Sequence, residues 1–533
     1  MARTKRAPAS AQTTAQQLGS LVKSARDTMR KDKGLNGDLD RLPQLTWIMF
    51  LKFLDDMEQL AEEEAALAGE SIRPAIEAPF RWRDWAADPG GITGDDLLAF
   101  VNNDEITRPD GSRVPGLFAY LRSLQGGNGG DRRDVIATVF RGVENRMRSG
   151  YLLREVVNRI SGIHFTSSEE IHVLGTLYES MLREMRDAAG DSGEFYTPRP
   201  VVRAIVRALD PRIGETLLDP AAGTGGFLVE AFEHLRPQAD TVEKRERLQH
   251  GTLHGFEPKG LPYLLCQMNL LLHGLEAPDI DPGNALRFRL TELGDKDRVD
   301  VIATNPPFGG EEEAGIQNNF PDDRRTAETA LLFLQLILRR LRRPLMGRPG
   351  GRAGVVVPNG TLFAGGVAAR IKEELLRDFN LHTVVRLPNG VFAPYTPIAT
   401  NVLFFERGGP TREVWYYELP PPEGRKQYTK TAPIRFEEFG SLLAWWGNRE
   451  ENERAWRVPA EEIAASGYNL DRKNPTAKQD FAHMPPEQLV EDILAKERRI
   501  IELTEEIRQV LADEVAPSRH QQEPVIVEAL AND

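Results

Sequence analysis

A chain of 533 residues, 40% of them hydrophobic, is long enough for two or three domains with substantial cores. Its single cysteine, Cys266, excludes a disulfide scaffold and a cysteine-built zinc site, so no metal is expected, and a reducing cytosol suits it. With 80 acidic against 67 basic residues the net charge is −13, the wrong sign for a subunit that grips nucleic acid alone.

In chain order, Met1 to Arg6 is basic but runs into Ala, Ser and Gln, so it reads as a solvated tail rather than a secretory signal. Helical patterning extends to about Gly162, and Leu45 to Leu54 within it is apolar enough to be core. Gly/Asp-rich stretches at Gly126 to Asp131 and Ala188 to Gly193 mark loops.

Glu194-Phe195-Tyr196-Thr197-Pro198-Arg199-Pro200 then reads as a helix start, with Thr197 as N-cap and Pro198 at the first helical position. Val202, Ile205, Val206 and Leu209 give that helix one apolar face, and its amino end suits a carboxylate. From about Thr216 to Phe405 strands and helices alternate, as in a doubly wound α/β sheet. Thr216 to Ala231 is a strand, a glycine-rich loop (Gly223-Thr224-Gly225-Gly226) and a helix, since glycine lets backbone pass close to a ligand. A dinucleotide site would look similar. The strand Gly251 to Phe256 ends at Glu257, an acid placed to accept ribose hydroxyls. Gly225 and Glu257 are 32 positions apart, against roughly 20 in the dinucleotide fingerprint, and the charged stretch Arg236 to Gln249 accounts for the excess. Asn284, after Gly283, is either a contact for a cofactor's adenine ring or a turn residue.

Val299 to Phe308 is the most informative segment: a β-branched run that ends at Asn305-Pro306-Pro307-Phe308. Proline has no N–H for the ladder, so the strand stops there, at the carboxyl end where open α/β sheets bind ligands. The Asn305 side-chain oxygen and the Pro306 carbonyl are two acceptors for one NH2 group, and Phe308 is a flat face for a planar base. Taken alone the tetrapeptide is equally a turn. Behind it, the acidic Gly309 to Asp323 reads as a mobile, solvated loop that orders on binding. The apolar run Ala330 to Leu338 is too short to span a bilayer. The cluster Arg339, Arg340, Arg342, Arg343, Arg348 and Arg352 reads as a solvated helix end rather than a DNA reader. After Pro485-Pro486, Leu489, Ile493, Ile500, Leu503, Ile507 and Val510 form an a/d-like stripe, for packing within the chain or on a partner helix.

The motifs Phe195 to Pro198, Asp219 to Gly226, Glu257 and Asn305 to Phe308, in that order, resemble the γ-type S-adenosylmethionine-dependent N6-adenine DNA methyltransferases. Gly309-Gly310, Gly315 to Phe320, "AGVVVPNG" (Ala353 to Gly360), "LPNGVFAPYTPIATNVLFF" (Leu387 to Phe405) and "GYNLDRKNP" (Gly467 to Pro475) resemble the methylase (M) subunit of type I restriction-modification systems.

The resemblance implies a Rossmann-like methyltransferase domain at 163–475 between an N-terminal helical domain (1–162) and a C-terminal helical tail (476–533). It implies Asn305, Pro306, Pro307 and Phe308 as catalytic residues. Glu194, Phe195, Tyr196, Thr197, Pro198, Arg199, Asp219, Gly223, Thr224, Gly225, Glu257 and Asn284 would bind S-adenosylmethionine. Relatives often carry Asp where this chain has Asn284, which weakens that carry-over. Asp219 would brace the glycine loop or the cofactor's amino group. A flipped adenine would be methylated without a covalent nucleophile, by orientation and preorganised acceptors. The implied partners are double-stranded DNA, a separate specificity subunit shared by two methylase subunits, and a restriction subunit, in the cytoplasm and away from membranes. No phosphate-binding loop of the Walker type appears in this chain, so ATP-driven steps would fall to the restriction subunit. Alternative readings are a stand-alone adenine methyltransferase, a protein glutamine methyltransferase, which usually carries Tyr at the Phe308 position, and a scaffold without turnover.

Overall fold

The computed structural model describes residues 15–69, 72–107, 111–126, 132–163, 197–393, 396, 398–421, 424–429 and 431–476, and, further on, 494, 496–505 and 507–508. Contacts divide the chain into two units, Met1–Pro475 and Thr476–Asp533.

The first unit opens with helices α1 (Ala15–Met29) and α2 (Asp38–Ala68). Trp47 and Phe50 of α2 are fully buried, as the apolar run around them predicts. The helix ends at Gly69, whose φ of 76° lets its N–H turn back to the Ala65 and Ala66 carbonyls. Helix α3 (Gly150–Ser161) starts where the Ser149 side chain accepts the Leu152 N–H, and it packs its Leu153, Val156, Val157 and Ile160 face near α1. A short hairpin, β1 (Glu105–Thr107) with β2 (Arg113–Pro115), is the only β-structure among the described residues before 163.

A nine-stranded mixed sheet follows: β3 (Leu217–Asp219), β4 (Leu253–Phe256), β5 (Asp279–Asp281), β6 (Val301–Thr304), β7 (Arg352–Pro358), β8 (Asn380–Arg386), β9 (Thr400–Glu406), β10 (Glu413–Glu418) and β11 (Ala455–Pro459). The spatial order is β11-β10-β8-β9-β7-β6-β3-β4-β5, with β9 antiparallel to both neighbours and β11 antiparallel to β10. From β3 the chain steps outward to β5 and then returns to the other side of β3 as β6. The β3/β6 gap is therefore the switch point of a Rossmann-like sheet, where ligands bind beyond the strand ends.

Every residue of β3 and β6 is buried because helices cover both faces. Val301 and Ala303 join one hydrophobic cluster and Ile302 the other. Helices α4 (Arg199–Leu209), α5 (Gly226–Leu235) and α6 (Gly260–Leu272) lie against the first cluster, which continues into the N-terminal helices, and α6 packs against α2. Helix α7 (Thr329–Arg340) follows the cup. The charged stretch after α5 forms a 3-10 turn (Arg236–Gln238) and a helix (Val242–Gln249), which explains the long interval before Glu257.

Two expectations are corrected. The segment 309–323 is folded: Ala314–Gln317 is helical, Phe320 is buried, Asn319 Nδ2 donates to the Leu286 carbonyl at 2.9 Å, and Gln317 Nε2 donates to the Glu312 carbonyl at 2.7 Å. One buried aromatic and these backbone anchors outweigh its acidic, glycine-containing composition. The arginine cluster is only in part a solvated helix end: Arg343 and Arg348 are exposed, but most of its members bond internal partners. Arg342 and Arg348 donate to buried Asp300, Arg352 holds Glu215 and the Leu209 and Asp210 carbonyls, and Arg339 holds the Leu290 carbonyl. Burial alone would raise the Asp300 carboxyl, but hydrogen bonds from Thr216 and Arg342 outweigh it and hold the group below the usual carboxylate range.

In the second unit the described residues from 494 on are helical, and Ile500, Leu503 and Ile507 of the apolar stripe are 62%, 42% and 60% exposed. Pro485, Pro486, Leu489, Ile493 and Val510 lie outside the described residues, as do the loops 127–131 and 188–193. Among the described residues no helix is long and apolar enough to cross a membrane.

Candidate active site

The switch point opens into a cavity of about 280 Å³. Its floor is the glycine loop between β3 and α5. Gly225 sits at φ 79° as the N-cap of α5, and a Cβ there would come within 2.9 Å of Cys266 Sγ. The only cysteine is thus packing under the loop. Asn269, fully buried on α6, donates from Nδ2 to the Thr224 carbonyl at 2.8 Å and supports the loop from below.

Two buried acids hold this floor. Asp219, at the end of β3, accepts the Ala221 N–H at 3.1 Å and the Thr304 hydroxyl at 2.7 Å on Oδ1, while Oδ2 has no partner among the described residues. Burial pushes its carboxyl up to about 7, against the pull of those two hydrogen bonds. Because Thr304 is the last residue of β6, this bond ties the cofactor strand to the strand that carries the cup. Glu257 accepts the Gly223 N–H on Oε2 and the Lys259 N–H on Oε1, each at 2.9 Å. Burial raises it as well, to about 7, despite those donors. Glu257 lines the cavity and at the same time clamps the loop.

At the cup, Asn305 Nδ2 donates to Thr197 Oγ1 at 3.0 Å, which leaves Asn305 Oδ1, in a side chain that lines the cavity, buried without a partner among the described residues. A buried carbonyl oxygen without a donor carries a desolvation cost of about 1–3 kcal/mol, which an incoming N–H removes. This also corrects the N-cap expectation: α4 begins at Arg199 with Pro198 as N-cap and Pro200 in the first turn, because the Thr197 hydroxyl serves Asn305 instead. Pro307 lines the cavity, Pro306 is buried beside it, and Phe308 meets Phe392 edge to face, with centroids 6.4 Å apart.

Of the remaining candidates, Thr197, Arg199, Gly223, Thr224 and Asn284 line the cavity, and Arg199 Nη1 donates to the Gly226 carbonyl. Asn284 is a turn residue, its Oδ1 capping Ala285–Arg287 by accepting the Leu286 N–H at 2.9 Å, and it also lines the cavity. Asp219, Pro198 and Gly225 support the walls rather than line them. Glu194, Phe195 and Tyr196 lie outside the described residues. Sequence reasoning missed Asn269, Lys259, Glu312, Phe333 and Phe392. Asn269 left a faint signal as a polar exception in the run from Leu264 to Leu272.

The lining fits a cationic nucleoside with an amino-acid arm. Glu257, Glu311 and Glu312 set acids around it, Arg199 and Lys259 offer the cations a carboxylate requires, and the glycine loop leaves room for close backbone contact. A crevice of that kind, ending in an orphan amide oxygen, defines the class of S-adenosylmethionine-dependent amino-methyltransferases.

The model of the N-6 DNA Methylase family matches residues 169–483, and that of the HsdM N-terminal domain matches 18–160. The chain is 45% identical to the type I restriction enzyme EcoEI methylase subunit of Escherichia coli, over 94% of this chain and 99% of that one. It is 30% identical to the StySJI methylase subunit of Salmonella typhimurium, covering 73% and 75% of the two chains. A crystal structure described as a type I restriction enzyme modification subunit from Vibrio vulnificus matches with a TM-score of 0.82 and 69% identity, over 88% of this chain and 99% of that one. The chain belongs to the methylase subunits of type I restriction enzymes, and is an adenine-specific DNA methyltransferase that uses S-adenosylmethionine.

Proposed function

We propose that Asn305, Pro306, Pro307 and Phe308 form the catalytic cup for adenine N6, and that the cavity between the glycine loop and Asn284 holds the methyl donor. S-adenosylmethionine supplies a methyl group on a sulfonium and leaves as a neutral thioether. Thr197 fixes the Asn305 amide so that Oδ1 faces the incoming amine, and the Pro306 carbonyl is the second acceptor. Two acceptors on one NH2 draw its lone pair out of conjugation with the ring. The new N–C bond forms as the C–S bond breaks, and the extra N6 proton then leaves to water. Phe308 and Phe392 offer aromatic surface for a base flipped out of the duplex. Arg199 takes the donor's carboxylate and Glu257 its ribose, while Asp219 braces the loop against Thr304. Glu194, Phe195 and Tyr196, which lie outside the described residues, are assigned to the cofactor on the family resemblance alone.

The observation that carries this reading is the unpartnered Asn305 Oδ1. Asn305→Ala is expected to abolish methyl transfer to DNA, measured with labelled cofactor, while calorimetric cofactor affinity stays within about three-fold, since roughly 0.7 kcal/mol spans that factor. Normal turnover in the variant would refute the assignment.

The three-part organisation 1–162, 163–475 and 476–533 is supported by family matches that meet between residues 160 and 169 and by the contact division at 475. The protein works in the cytoplasm on double-stranded DNA, within a complex containing a specificity subunit and a restriction subunit. Two methylase subunits serve one specificity subunit, because a duplex site presents a target adenine on each strand. The net charge of −13 supports delivery by a partner.

A further inference from the structure

Beyond the cup, the cavity's far wall carries an acid that the motif pattern does not assign. A ligand whose reactive end lies at Asn305, beyond β6, and whose ribose lies at Glu257, beyond β4, places its base one strand further out, beyond β5. There Asn284 and Glu312 both line the cavity. The Asn284 oxygen accepts the Leu286 N–H at 2.9 Å, and its Nδ2 points to Glu312 Oε2 at 3.4 Å. Asn284 therefore turns its amide donor toward Glu312. The backbone holding Glu312 is pinned on both sides: its N–H reaches the Ala327 carbonyl at 2.9 Å, and its carbonyl accepts Gln317 Nε2 at 2.7 Å.

We infer that Glu312 is a cofactor-positioning residue that accepts the exocyclic amine of the donor's adenine, with Asn284 orienting its carboxylate. This rests on the cofactor placement proposed above. An acceptor-only carboxylate welcomes a 6-amino purine and repels a 6-oxo purine, whereas a glutamine amide rotates to serve either. The nucleobase preference is therefore set by one side chain in the segment behind the cup.

The test is calorimetric binding of S-adenosylhomocysteine and its inosine counterpart to the full chain. The wild type is expected to favour the adenine form at least about ten-fold, in line with one charge-assisted hydrogen bond. Glu312→Gln should collapse or invert that preference, mainly by tightening the inosine form, and Glu312→Ala should weaken the adenine form by about ten-fold. Loss of affinity for both ligands to the same degree, or an unchanged preference in Glu312→Gln, overturns the role of Glu312. Failure of the wild type to bind either ligand would instead overturn the underlying cofactor placement.

Discussion

Asp219 is fully buried, with one carboxylate oxygen satisfied twice and the other not at all. Its folded-state value near 7 lies above the ordinary 3.8, so between those limits the folded chain binds a proton that the unfolded chain does not. Stability from this group is therefore full at low pH and declines as pH rises towards 7, the reverse of a salt-bridged acid. Asp219→Asn keeps an oxygen for Thr304 and Ala221 and removes the buried charge. The variant is expected to match the wild type near pH 4 and to exceed it above pH 7.5, by about 2–4 kcal/mol, since each pH step of one between the unfolded and folded values is worth about 1.4 kcal/mol. Urea unfolding of the ligand-free chain at several pH values checks this, and parallel pH profiles for the two proteins would contradict it. Glu257 shows the same upward displacement with both oxygens engaged, so burial rather than a missing partner dominates at both acids.

The elements that build the site differ in how openly the sequence announces them. The glycine loop and the cup are contiguous and sit at strand ends, so hydrophobic runs broken by Gly or Pro reveal them. Asn269, Glu312 and Phe392 reach the site through tertiary packing from positions that look like core, loop and strand flank, and apart from Asn269's polarity within an apolar run no local pattern marks them. Thr197 stands out in the sequence, but its hydroxyl reads as a helix cap because its actual partner, Asn305, lies 108 positions away. The segment 309–323 misleads because composition speaks to solvation, and a single buried Phe320 decides its fold. Where an element is both legible and tightly packed, a substitution has a defined cost. Gly225→Ala would hold an alanine at φ 79° with its Cβ 2.9 Å from Cys266 Sγ. It is expected to lower cofactor affinity at least about ten-fold and to destabilise the chain by about 1–3 kcal/mol. Adding Cys266→Ala should recover part of both losses, because it removes the clash and leaves only the backbone strain. No recovery in that double variant would show that the contact is not what requires glycine.

At the scale of the whole molecule, charge and surface chemistry point to assembly. Arg342, Arg352 and Arg339, which could have formed part of a basic footprint, bond Asp300, Glu215 and backbone carbonyls instead, while the balance remains −13. That balance suits a subunit whose affinity for the polyanion is shared with a partner polypeptide. In the tail, Ile500, Leu503 and Ile507 are exposed at spacings of three and four, the geometry of a helix face that docks in a groove or against a second helix. Three such side chains, each worth about 1.5–3 kcal/mol on full burial, are enough to decide an interface. Replacing all three with lysine should leave cofactor binding by the rest of the chain within about two-fold, well under 1 kcal/mol. The same substitution should abolish co-purification with the specificity subunit, as should truncation after Pro485. If methylation of DNA is delivered by that partner, activity should fall with assembly and not with cofactor affinity. Retained co-purification of either variant would refute the tail as the docking element, and loss of cofactor binding would place these residues in the fold rather than at an interface.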